Sequence, residues 1–535
     1  MRGGYVWNRT RARVGVVLLV CVLLALGHTR ANAVRTNKRH SHTTTLSTSS
    51  TSPGGGPSLV RLAFAGSDEV GQPTGVSVSW STGPKPKDLK SVVLLGTEQG
   101  NLTLRVESTA PGSQVTYLAG GTTHHHVEVT GLEPDTTYYY RCGDDSSGDD
   151  SSMLSEEHSF RTAPDVRAGA KGFTVAVWGD MGAGNCSQKT REMMQALSPS
   201  VDFAWHLGDI AYQDDWLFLD FAYEKVLDEY MASMEFFSAT RAYMTLAGNH
   251  ECDCHSIRCI LDSELRNSLH NFTAYNARYR MPSKESGGIM NMWYSFNYGP
   301  VHFVNLDSET DYYGAAEGEH DEFYLLDSGH FNPYPNAYME WLEEDLKQAN
   351  SVANRTLRPW VIAGTHRPMY LYGNASSMRE AVEDLLIKYD VDLFLGGHIH
   401  SYFRTYPAKA GEAVKDYSPE ARAGKLVNII TGTPGAIDRP MRGGGVLARA
   451  GDWVASVLSK AGRAAYERVV PWLTGGPRHD PRRDAEALED DMSIVAHHTH
   501  EQSFGMLHIL NDSAIRWELV SSETGESIDR LELTK

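Results

Sequence analysis

Five short motifs contain side chains that bind metal ions, and each motif directly follows an apolar run. They span residues 179–182, 208–212, 248–251, 364–366 and 397–400. Their candidate ligands are two aspartates, one tyrosine, one asparagine and three histidines, namely Asp180, Asp209, Tyr212, Asn249, His366, His398 and His400. Oxygen and imidazole donors without thiolate favour iron, manganese or zinc. Because these donors are too many for one zinc ion, they predict two metal ions about 3.5 to 4 Å apart, the usual separation of a hydrolytic pair.

The apolar runs before these motifs predict the strands that must position them. The predicted strands cover residues 173–178, 203–207, 243–247, 360–363 and 391–395. Helix-length segments follow them. Ligands gather outside the carboxyl ends of strands in open α/β sheets, so motifs far apart in the chain can meet there. A strand at 301–306 and closing β-segments at 503–510 and 515–520 complete a layered α/β domain, which we place at residues 171–437 and 501–535.

Three further regions lie outside this domain. Residues 58–164 contain short alternating runs of strand formers separated by Gly, Pro and Asp, which predicts an all-β sandwich. Residues 34–57 are rich in Ser, Thr, Gly and Pro, as in a flexible linker. Residues 441–500 form an insertion in which apolar side chains recur at helical steps. We expect this amphipathic helix to pack on its own domain, with binding to a membrane surface or a partner as the alternative.

Residues 1–33 have the three parts of a secretory signal peptide. Arginines precede the apolar run 14–27, and residues 31–33 form a small-residue cleavage pattern. We therefore expect a secreted or lumenal protein. An uncleaved anchor is the alternative, although the run is shorter than the about 20 residues that span a bilayer. Sequons that fit a secreted glycoprotein start at Asn101, Asn185, Asn271, Asn354, Asn374 and Asn511.

Charge and cysteine content narrow the function further. The net charge of −18 leaves no general basic face, so a nucleic-acid partner is not expected. An anionic substrate would need a local positive site, which a metal pair provides. Cys252, Cys254 and Cys259 lie near His255, and in an oxidising compartment we expect a local disulfide there rather than a zinc site. Three consecutive histidines at 124–126 are interpreted as a surface strand edge.

The five motifs resemble, in order, those of the purple acid phosphatases, a family of the metallophosphoesterase superfamily. Tyr212 discriminates this family, because metallophosphoesterases in general have no tyrosine at this position. The sequences at 293–295 and 400–402 strengthen the match. Residues 58–164 resemble the fibronectin type III-like domain of the long-chain members, above all at 131–140. The resemblance implies a multidomain α+β architecture, in which an N-terminal β-sandwich precedes a layered α/β metallophosphoesterase sandwich.

The resemblance also implies a role for each candidate ligand. A ferric ion would be held by Asp180, Tyr212 and His400, a divalent ion by Asn249, His366 and His398, and both ions by Asp209. The divalent ion would be iron, zinc or manganese. Such a pair of ions keeps a net positive charge after its ligands are counted, so it could hold a phosphate dianion on an acidic protein.

Further side chains near these ligands are candidates for the chemistry. By the same resemblance, His250 would contact the phosphate as a hydrogen-bond donor or proton carrier. The alternative is a structural histidine bonded to Glu251. Plant members have a pair of histidines in the segment that corresponds to residues 367–376, and this sequence has none there. Arg367 or Tyr370 could replace them or could equally be structural.

The function that the resemblance implies is that of a secreted acid phosphatase. Phosphate monoesters, either small molecules or phosphoproteins, would be hydrolysed by attack of a metal-bound hydroxide. A phosphodiesterase or nucleotide pyrophosphatase on the same scaffold is one alternative. An adhesion protein with a binding β-sandwich and a vestigial metal domain is another, although every predicted ligand is present. Whether the chain forms a homodimer stays open, and no segment after the signal peptide is expected to span a membrane.

Overall fold

The structure is a computed structural model that describes residues 56–83, 90–108, 112–117, 121–144, 153–169, 171–214, 223–252, 254, 263–315, 334, 336–371, 376–435 and 492–535. The predicted signal peptide, nearly all of the predicted linker and the predicted amphipathic helix lie outside the described residues. In the part of the chain that is described, no helix is both long and apolar enough to cross a membrane.

The first eight strands form a β-sandwich, as the sequence predicts. They are β1 Ser58–Ala65, β2 Gly75–Thr82, β3 Ser91–Gly96, β4 Leu104–Ser108, β5 Gln114–Val115, β6 Thr123–Val129, β7 Thr137–Asp144 and β8 His158–Arg161. Two antiparallel sheets have the strand orders β1-β2-β6-β5 and β4-β3-β7-β8. Side chains from both sheets, including Val78, Trp80, Val93 and Tyr140, are buried in one core. This is the packing expected of a fibronectin-like sandwich.

One expectation about the sandwich is wrong, because the three consecutive histidines do not form a surface edge. Strand β6 lies between β2 and β5. His124, His125 and His126 are 0%, 1% and 3% exposed. Hydroxyl groups of neighbouring strands hydrogen-bond to all three rings, for example Ser79 Oγ to His126 Nδ1 at 2.8 Å. Polar side chains with such partners are stable in an interior.

The second domain is built on two mixed sheets. Its strands are β9 Phe173–Trp178, β10 Phe203–His206, β11 Tyr243–Thr245, β12 Tyr294–Tyr298, β13 Val301–Asn305, β14 Trp360–Gly364, β15 Leu393–Gly396, β16 Tyr402–Thr405, β17 Ala408–Lys409, β18 Glu412–Ala413, β19 Val427–Thr431, β20 Val495–Thr499, β21 Ser503–Asn511, β22 Ala514–Ser521 and β23 Ser527–Thr534. The sheet orders are β11-β10-β9-β21-β22-β23 and β12-β13-β14-β15-β19-β16-β20, and β17 and β18 form a separate two-stranded sheet. Strands β9 to β11 are parallel, and so are β13, β14, β15 and β19.

Helices lie between these strands in the chain, so the predicted layered α/β architecture is confirmed. They are α1 Gln188–Leu197, α2 Tyr223–Ser238, α3 Ser263–Leu269, α4 Thr273–Arg278, α5 Ser283–Ser286, α6 Ala337–Ala349, α7 Val352–Leu357, α8 Ser376–Lys388 and α9 Pro419–Arg422. Helix α2 shows why they form: Val226, Tyr230, Met234 and Phe237 recur at three- and four-residue steps and are buried. One apolar face therefore packs on the core.

Strand β1 connects the sandwich to the second domain through side chains. The Phe64 ring lies in the core of the second domain, with its centroid 5.3 Å from that of Phe203 and 5.6 Å from that of Phe296. Glu235 Oε1 of α2 accepts a hydrogen bond from the Val60 N–H at 2.8 Å. The sandwich is thus packed against the scaffold that carries the strand-end motifs.

The chain rejoins the second domain earlier than the sequence indicates. Strand β20 pairs with β16 at the edge of the seven-stranded sheet. Residues 495–499 therefore belong to the α/β domain, although the sequence analysis places them in the insertion. Their polar composition, with two histidines and a threonine, gives little sign of a strand that is paired on one side only.

Candidate metal centre

The candidate ligands lie at the carboxyl ends of strands from both sheets. Asp180, Asp209 and Asn249 follow β9, β10 and β11 of the six-stranded sheet. His366 and His398 follow β14 and β15 of the seven-stranded sheet. The parallel strands of both sheets therefore end at the same place, and the candidate ligands that follow them lie together there, as the strand-end motifs predict.

Asp180, Tyr212 and His400 form one group of side chains. Tyr212 Oη donates to Asp180 Oδ1 at 3.1 Å and lies 2.8 Å from His400 Nε2. His400 Nε2 is 3.3 Å from Asp180 Oδ1. Tyr212 and Asp180 are buried, whereas the His400 side chain keeps 16% of its surface exposed. The group is therefore reached from solvent on the His400 side.

A second group surrounds the Nε2 atom of His366. This atom lies 3.1 Å from Asn249 Oδ1, 3.2 Å from His398 Nδ1 and 3.2 Å from Asp209 Oδ2. The other ring nitrogen, His366 Nδ1, donates to the Leu207 carbonyl at 2.8 Å. Because a carbonyl oxygen only accepts, this bond directs the lone pair of Nε2 into the group. Metal-binding histidines are oriented by the same kind of bond.

Asp209 is common to both groups. One ligand atom each from Asp209, His366 and His398 lie within 4.8 Å of one another, and the same holds for Asp180, Asp209 and His400. Two atoms that bind one ion at about 2.1 Å, with an angle of 90° to 110° between them, are about 3.0 to 3.4 Å apart. The separations in both groups fall close to this range, so the donor set fits two neighbouring ions that share Asp209.

The electrostatics of the site also fit bound cations. Burial alone would raise the pKa of Asp209, but the imidazoles of His366 and His250 outweigh burial and hold that pKa well below its usual range. Burial likewise disfavours the charged form of His366, yet the Asp209 carboxylate raises the pKa of His366 to about 9. The buried donors thus stabilise a positive charge placed between them.

The backbone at this site is held in conformations that side chains rarely adopt. The φ angles are 61° at Asp180, 50° at Asp209, 56° at Tyr212 and 67° at His398. All four lie in the left-handed region. At Gly248, an added Cβ would lie 2.2 Å from Asp209 Oδ1, so only glycine leaves room for this carboxylate. Such strain persists where the surrounding structure fixes it, often at functional sites.

Known proteins with similar sequences share both domains. The model of the purple acid phosphatase N-terminal domain matches residues 57–162, and the model of the calcineurin-like phosphoesterases matches residues 173–402. Acid phosphatase type 7 of Homo sapiens is 30% identical over 411 residues, which cover 72% of this chain and 80% of the human protein. This chain belongs to the purple acid phosphatase family. The resemblance drawn from the motifs is thereby confirmed.

Two further proteins extend the comparison, one similar in sequence and one similar in fold. The acid phosphatase of Aspergillus ficuum is 29% identical over 516 residues, which cover 77% of this chain and 75% of the fungal protein. A purple acid phosphatase from yellow lupin (Lupinus luteus) seeds has the same fold, with a TM-score of 0.59 and 19% sequence identity. That alignment covers 90% of this chain and 74% of the lupin chain.

His250 of this purple acid phosphatase lies beside the ligand groups and is oriented by Asp214. His250 Nδ1 is 2.8 Å and 3.0 Å from the two carboxylate oxygens of Asp214. Its Nε2 is 3.8 Å from Asp209 Oδ2. Asp214 is buried, and the sequence analysis missed it. The signal that could have found it is its position two residues after Tyr212, in the strand-end loop that already carries two candidate ligands.

Glu251 has a different role from the one considered as an alternative in the sequence. Its Oε2 accepts from the N–H groups of Gly248 and Asp209 at 2.9 Å, and its Oε1 accepts from the N–H of Ile210 at 2.9 Å. It therefore joins the loops that carry Asp209 and Asn249. Burial raises the pKa of Glu251 to about 8, and the Asp209 carboxylate adds to that rise.

The sequence did not decide whether Arg367 or Tyr370 replaces the histidine pair of the plant members. The two residues have different surroundings in the structure. Arg367 Nε donates to the Glu309 carboxylate at 2.9 Å, and its Nη1 is 3.4 Å from His398 Nε2. Tyr370 Oη donates to Glu383 of α8. Arg367 therefore lies next to the candidate ligand His398, whereas Tyr370 connects parts of the scaffold.

Proposed function

We propose that the protein is a secreted acid phosphatase that hydrolyses phosphate monoesters with two metal ions. The observation that carries this proposal is the meeting of all the predicted ligands at one point, with donor atoms 2.8 to 3.3 Å apart. Family membership supports it, since the similar human and fungal proteins are named acid phosphatases. The predicted signal peptide supports secretion.

The two groups of side chains suggest which ion each would hold. We assign a ferric ion to Asp180, Tyr212 and His400, a divalent ion (iron, zinc or manganese) to Asn249, His366 and His398, and a bridging position to Asp209. When bound, such a pair polarises a phosphate oxygen and lowers the pKa of a bound water. Asn249 is neutral, so it binds without reducing the positive charge that attracts a phosphate dianion.

Other side chains of this chain would hold the substrate and move a proton. Asp214 fixes the His250 ring through Nδ1, which leaves Nε2 directed to the site. At this atom His250 would donate a hydrogen bond to the phosphate or a proton to the leaving group. Glu309 fixes Arg367 at the edge of the site, where its guanidinium adds positive charge.

The metal assignment is tested by elemental analysis of the secreted protein together with its visible spectrum. We expect about two metal ions per chain, at least one of them iron. A broad visible band from the tyrosinate and ferric ion should disappear in Tyr212→Phe, while Tyr230→Phe, which changes a buried tyrosine of α2, should keep it. Folded protein with little or no metal would overturn the proposal.

The substrate class is tested by comparing an aryl phosphate with the corresponding bis-ester. A phosphatase should turn over the monoester much faster, because only the monoester presents a dianion to the positive site. Faster turnover of the bis-ester would point to a phosphodiesterase instead. Metal-loaded protein that hydrolyses neither compound would contradict both activities.

A further inference from the structure

One loop, which follows β10, holds His250 at several points. The His250 N–H donates to Asp209 Oδ1 at 3.1 Å, and the His250 ring centroid lies 4.3 Å from that of Tyr212. The Asp214 carboxylate lies 2.8 Å from Nδ1 of the ring. The Gln213 side chain donates through Nε2 to the carbonyl oxygen of His250. The loop that carries two candidate ligands therefore also positions the side chain that would contact the substrate.

The Gln213 bond holds the backbone of His250 rather than its ring. His250 is the middle residue of the short 3₁₀ turn Asn249–Glu251. Within this turn the Gly248 carbonyl accepts from the Glu251 N–H at 3.2 Å, whereas the His250 carbonyl accepts from a side chain of another loop. Such turns are short, and their own hydrogen bonds have poor geometry. The Gln213 amide therefore ties the turn to the loop after β10.

Gln213 is an unusual residue for its surroundings. It is 2% exposed, and among the described residues its Oε1 atom has no hydrogen-bond partner. A buried polar atom without a partner is destabilising, so an apolar side chain of the same length would be more stable at this position. Natural sequences depart from such local rules mainly at functional or strained sites. The Nε2 donor is therefore the feature that accounts for a glutamine here.

We propose that Gln213 is a positioning residue, whose amide places His250 to contact the substrate phosphate. Asp214 fixes the direction of the ring, and Gln213 fixes the place of the backbone that carries it. His250 Nε2 lies 3.8 Å from Asp209 Oδ2, so a small shift of the turn changes its distance to a phosphate at the metal centre. Misplacement by about 1 Å can cost about 100-fold in rate. This inference rests on the proposed function, in which His250 acts on the phosphate or the leaving group.

The test is Gln213→Met, which keeps the length of the side chain and removes its donor. We expect kcat for an aryl phosphate to fall about 10-fold, with KM within about twofold of wild type and a full metal content. Substrate binding at the metal centre would be retained, whereas His250 would meet the transition state in the wrong place. An unchanged kcat would overturn the proposal. Gln213→Asn, whose amide is one methylene too short for the carbonyl, should show the same loss if Gln213→Met does not fold.

Two further variants separate positioning from a general structural role. In the His250→Gln background, Gln213→Met should cost less than about twofold in kcat, because the two residues act as a unit. A loss of about 10-fold in that background would assign Gln213 to another part of the site and overturn the proposal. The matched control is Gln72→Met, in the loop between β1 and β2. Gln72 is 3% exposed and its amide has no hydrogen-bond partner among the described residues, so kcat should stay unchanged.

A second measurement does not depend on turnover. Crystal structures of wild type and Gln213→Met, each soaked in sodium phosphate, should show the His250 ring displaced by about 1 Å in the variant or less ordered than in wild type. An unmoved and equally ordered ring would overturn the proposal, whatever the activity. If metal-loaded wild type hydrolyses neither ester, the proposed function fails, and the two structures still decide whether Gln213 positions His250.

Discussion

Two groups of histidines in this protein, all of them buried or half-buried, have different surroundings. His124, His125 and His126 lie in strand β6 of the sandwich, where hydroxyl groups contact their rings. His366 and His400 lie at the candidate metal centre, where carboxylates contact their rings. Both groups are clusters of imidazoles in a protein interior, so burial alone does not distinguish a structural histidine from a ligand.

The two groups differ in how many polar atoms surround one ring nitrogen. His126 Nε2 donates to the Ala277 carbonyl at 3.1 Å, and its Nδ1 accepts from Ser79 Oγ at 2.8 Å. Burial holds the pKa of His126 well below its usual range, so the ring is neutral and satisfied. His366 donates through Nδ1 to Leu207, and Asn249 Oδ1, His398 Nδ1 and Asp209 Oδ2 all lie within 3.2 Å of its Nε2. A neutral ring with one partner on each nitrogen is structural, whereas a ring nitrogen on which several ligand atoms converge can bind a cation together with them.

The largest effect should come from Asp209→Asn, which removes the carboxylate shared by both ligand groups. Loss of an outer-shell partner costs about 10 to 100-fold in metal affinity or activity, so loss of the bridging ligand should cost at least about 1,000-fold in kcat/KM. Elemental analysis should show fewer than two ions per chain. The matched control is Asp144→Asn, because Asp144 is buried 3.9 Å from the His125 ring. If Asp144→Asn loses metal equally, the comparison fails.

His126→Leu should lower stability and leave the metal centre intact. The variant leaves Ser79 Oγ and the Ala277 carbonyl without their partner, and each buried unsatisfied group costs about 1 to 3 kcal/mol. We expect the free energy of unfolding in urea to fall by about 2 to 4 kcal/mol. The double variant with Ser79→Ala should recover part of this loss. Loss of bound metal in the folded single variant would contradict the structural role.

Strands and ligands could be predicted from the sequence because each has a local signal. The predicted strand 173–178 coincides with β9, since its apolar run and flanking glycines are continuous in sequence. Cys254 is disulfide-bonded, as its close neighbours and the predicted compartment indicate. The candidate ligands are recognisable because they lie in short motifs after such strands, and the resemblance to the family assigns them their expected roles.

Some residues were assigned wrongly or overlooked in the sequence because their partners are apparent only in the tertiary structure. The run 124–126 looks polar and therefore exposed, but the hydroxyls that satisfy it belong to other strands, among them Ser79 and Ser91. Glu251 follows His250 directly in sequence, yet it accepts from backbone N–H groups of two loops. An acceptor for backbone groups leaves no pattern in the sequence, so its role could not be predicted.

A smaller effect is expected from Asp214→Asn, which weakens the acceptor that orients His250. The carboxylate fixes the ring and stabilises its charged form, whereas an amide does so less well. We expect kcat to fall by about 10-fold with full metal content. In the His250→Gln background the same change should cost less than about twofold, because the two residues act as a unit. A full 10-fold loss in that background would assign Asp214 another role.

A pH-dependent effect on stability is expected from Asp307, a buried carboxyl that has no histidine partner in the described contacts and so contrasts with Asp209. Its Oδ1 accepts from the N–H groups of Glu309 and Thr310 at 2.8 and 3.2 Å. Burial raises the pKa of Asp307 to about 8 from 3.8. Between these values the folded protein keeps a proton that the unfolded chain has lost, so this contribution to stability is full below about pH 4 and falls as the pH rises to about 8.

Asp307→Asn mimics the protonated carboxyl, so it should remove this pH dependence. In urea unfolding from pH 5 to pH 8, the free energy of unfolding of the variant should rise relative to that of wild type by up to about 1.4 kcal/mol per pH unit. Asp345→Asn is the control, because Asp345 lies 2.9 Å from His302 Nε2 and has a partner for its charge. A constant difference between Asp307→Asn and wild type across this range would mean that Asp307 is ionised in the folded protein. Burial without a cation would then not suffice to keep a carboxyl protonated here, and the contrast with Asp209 would lose its basis.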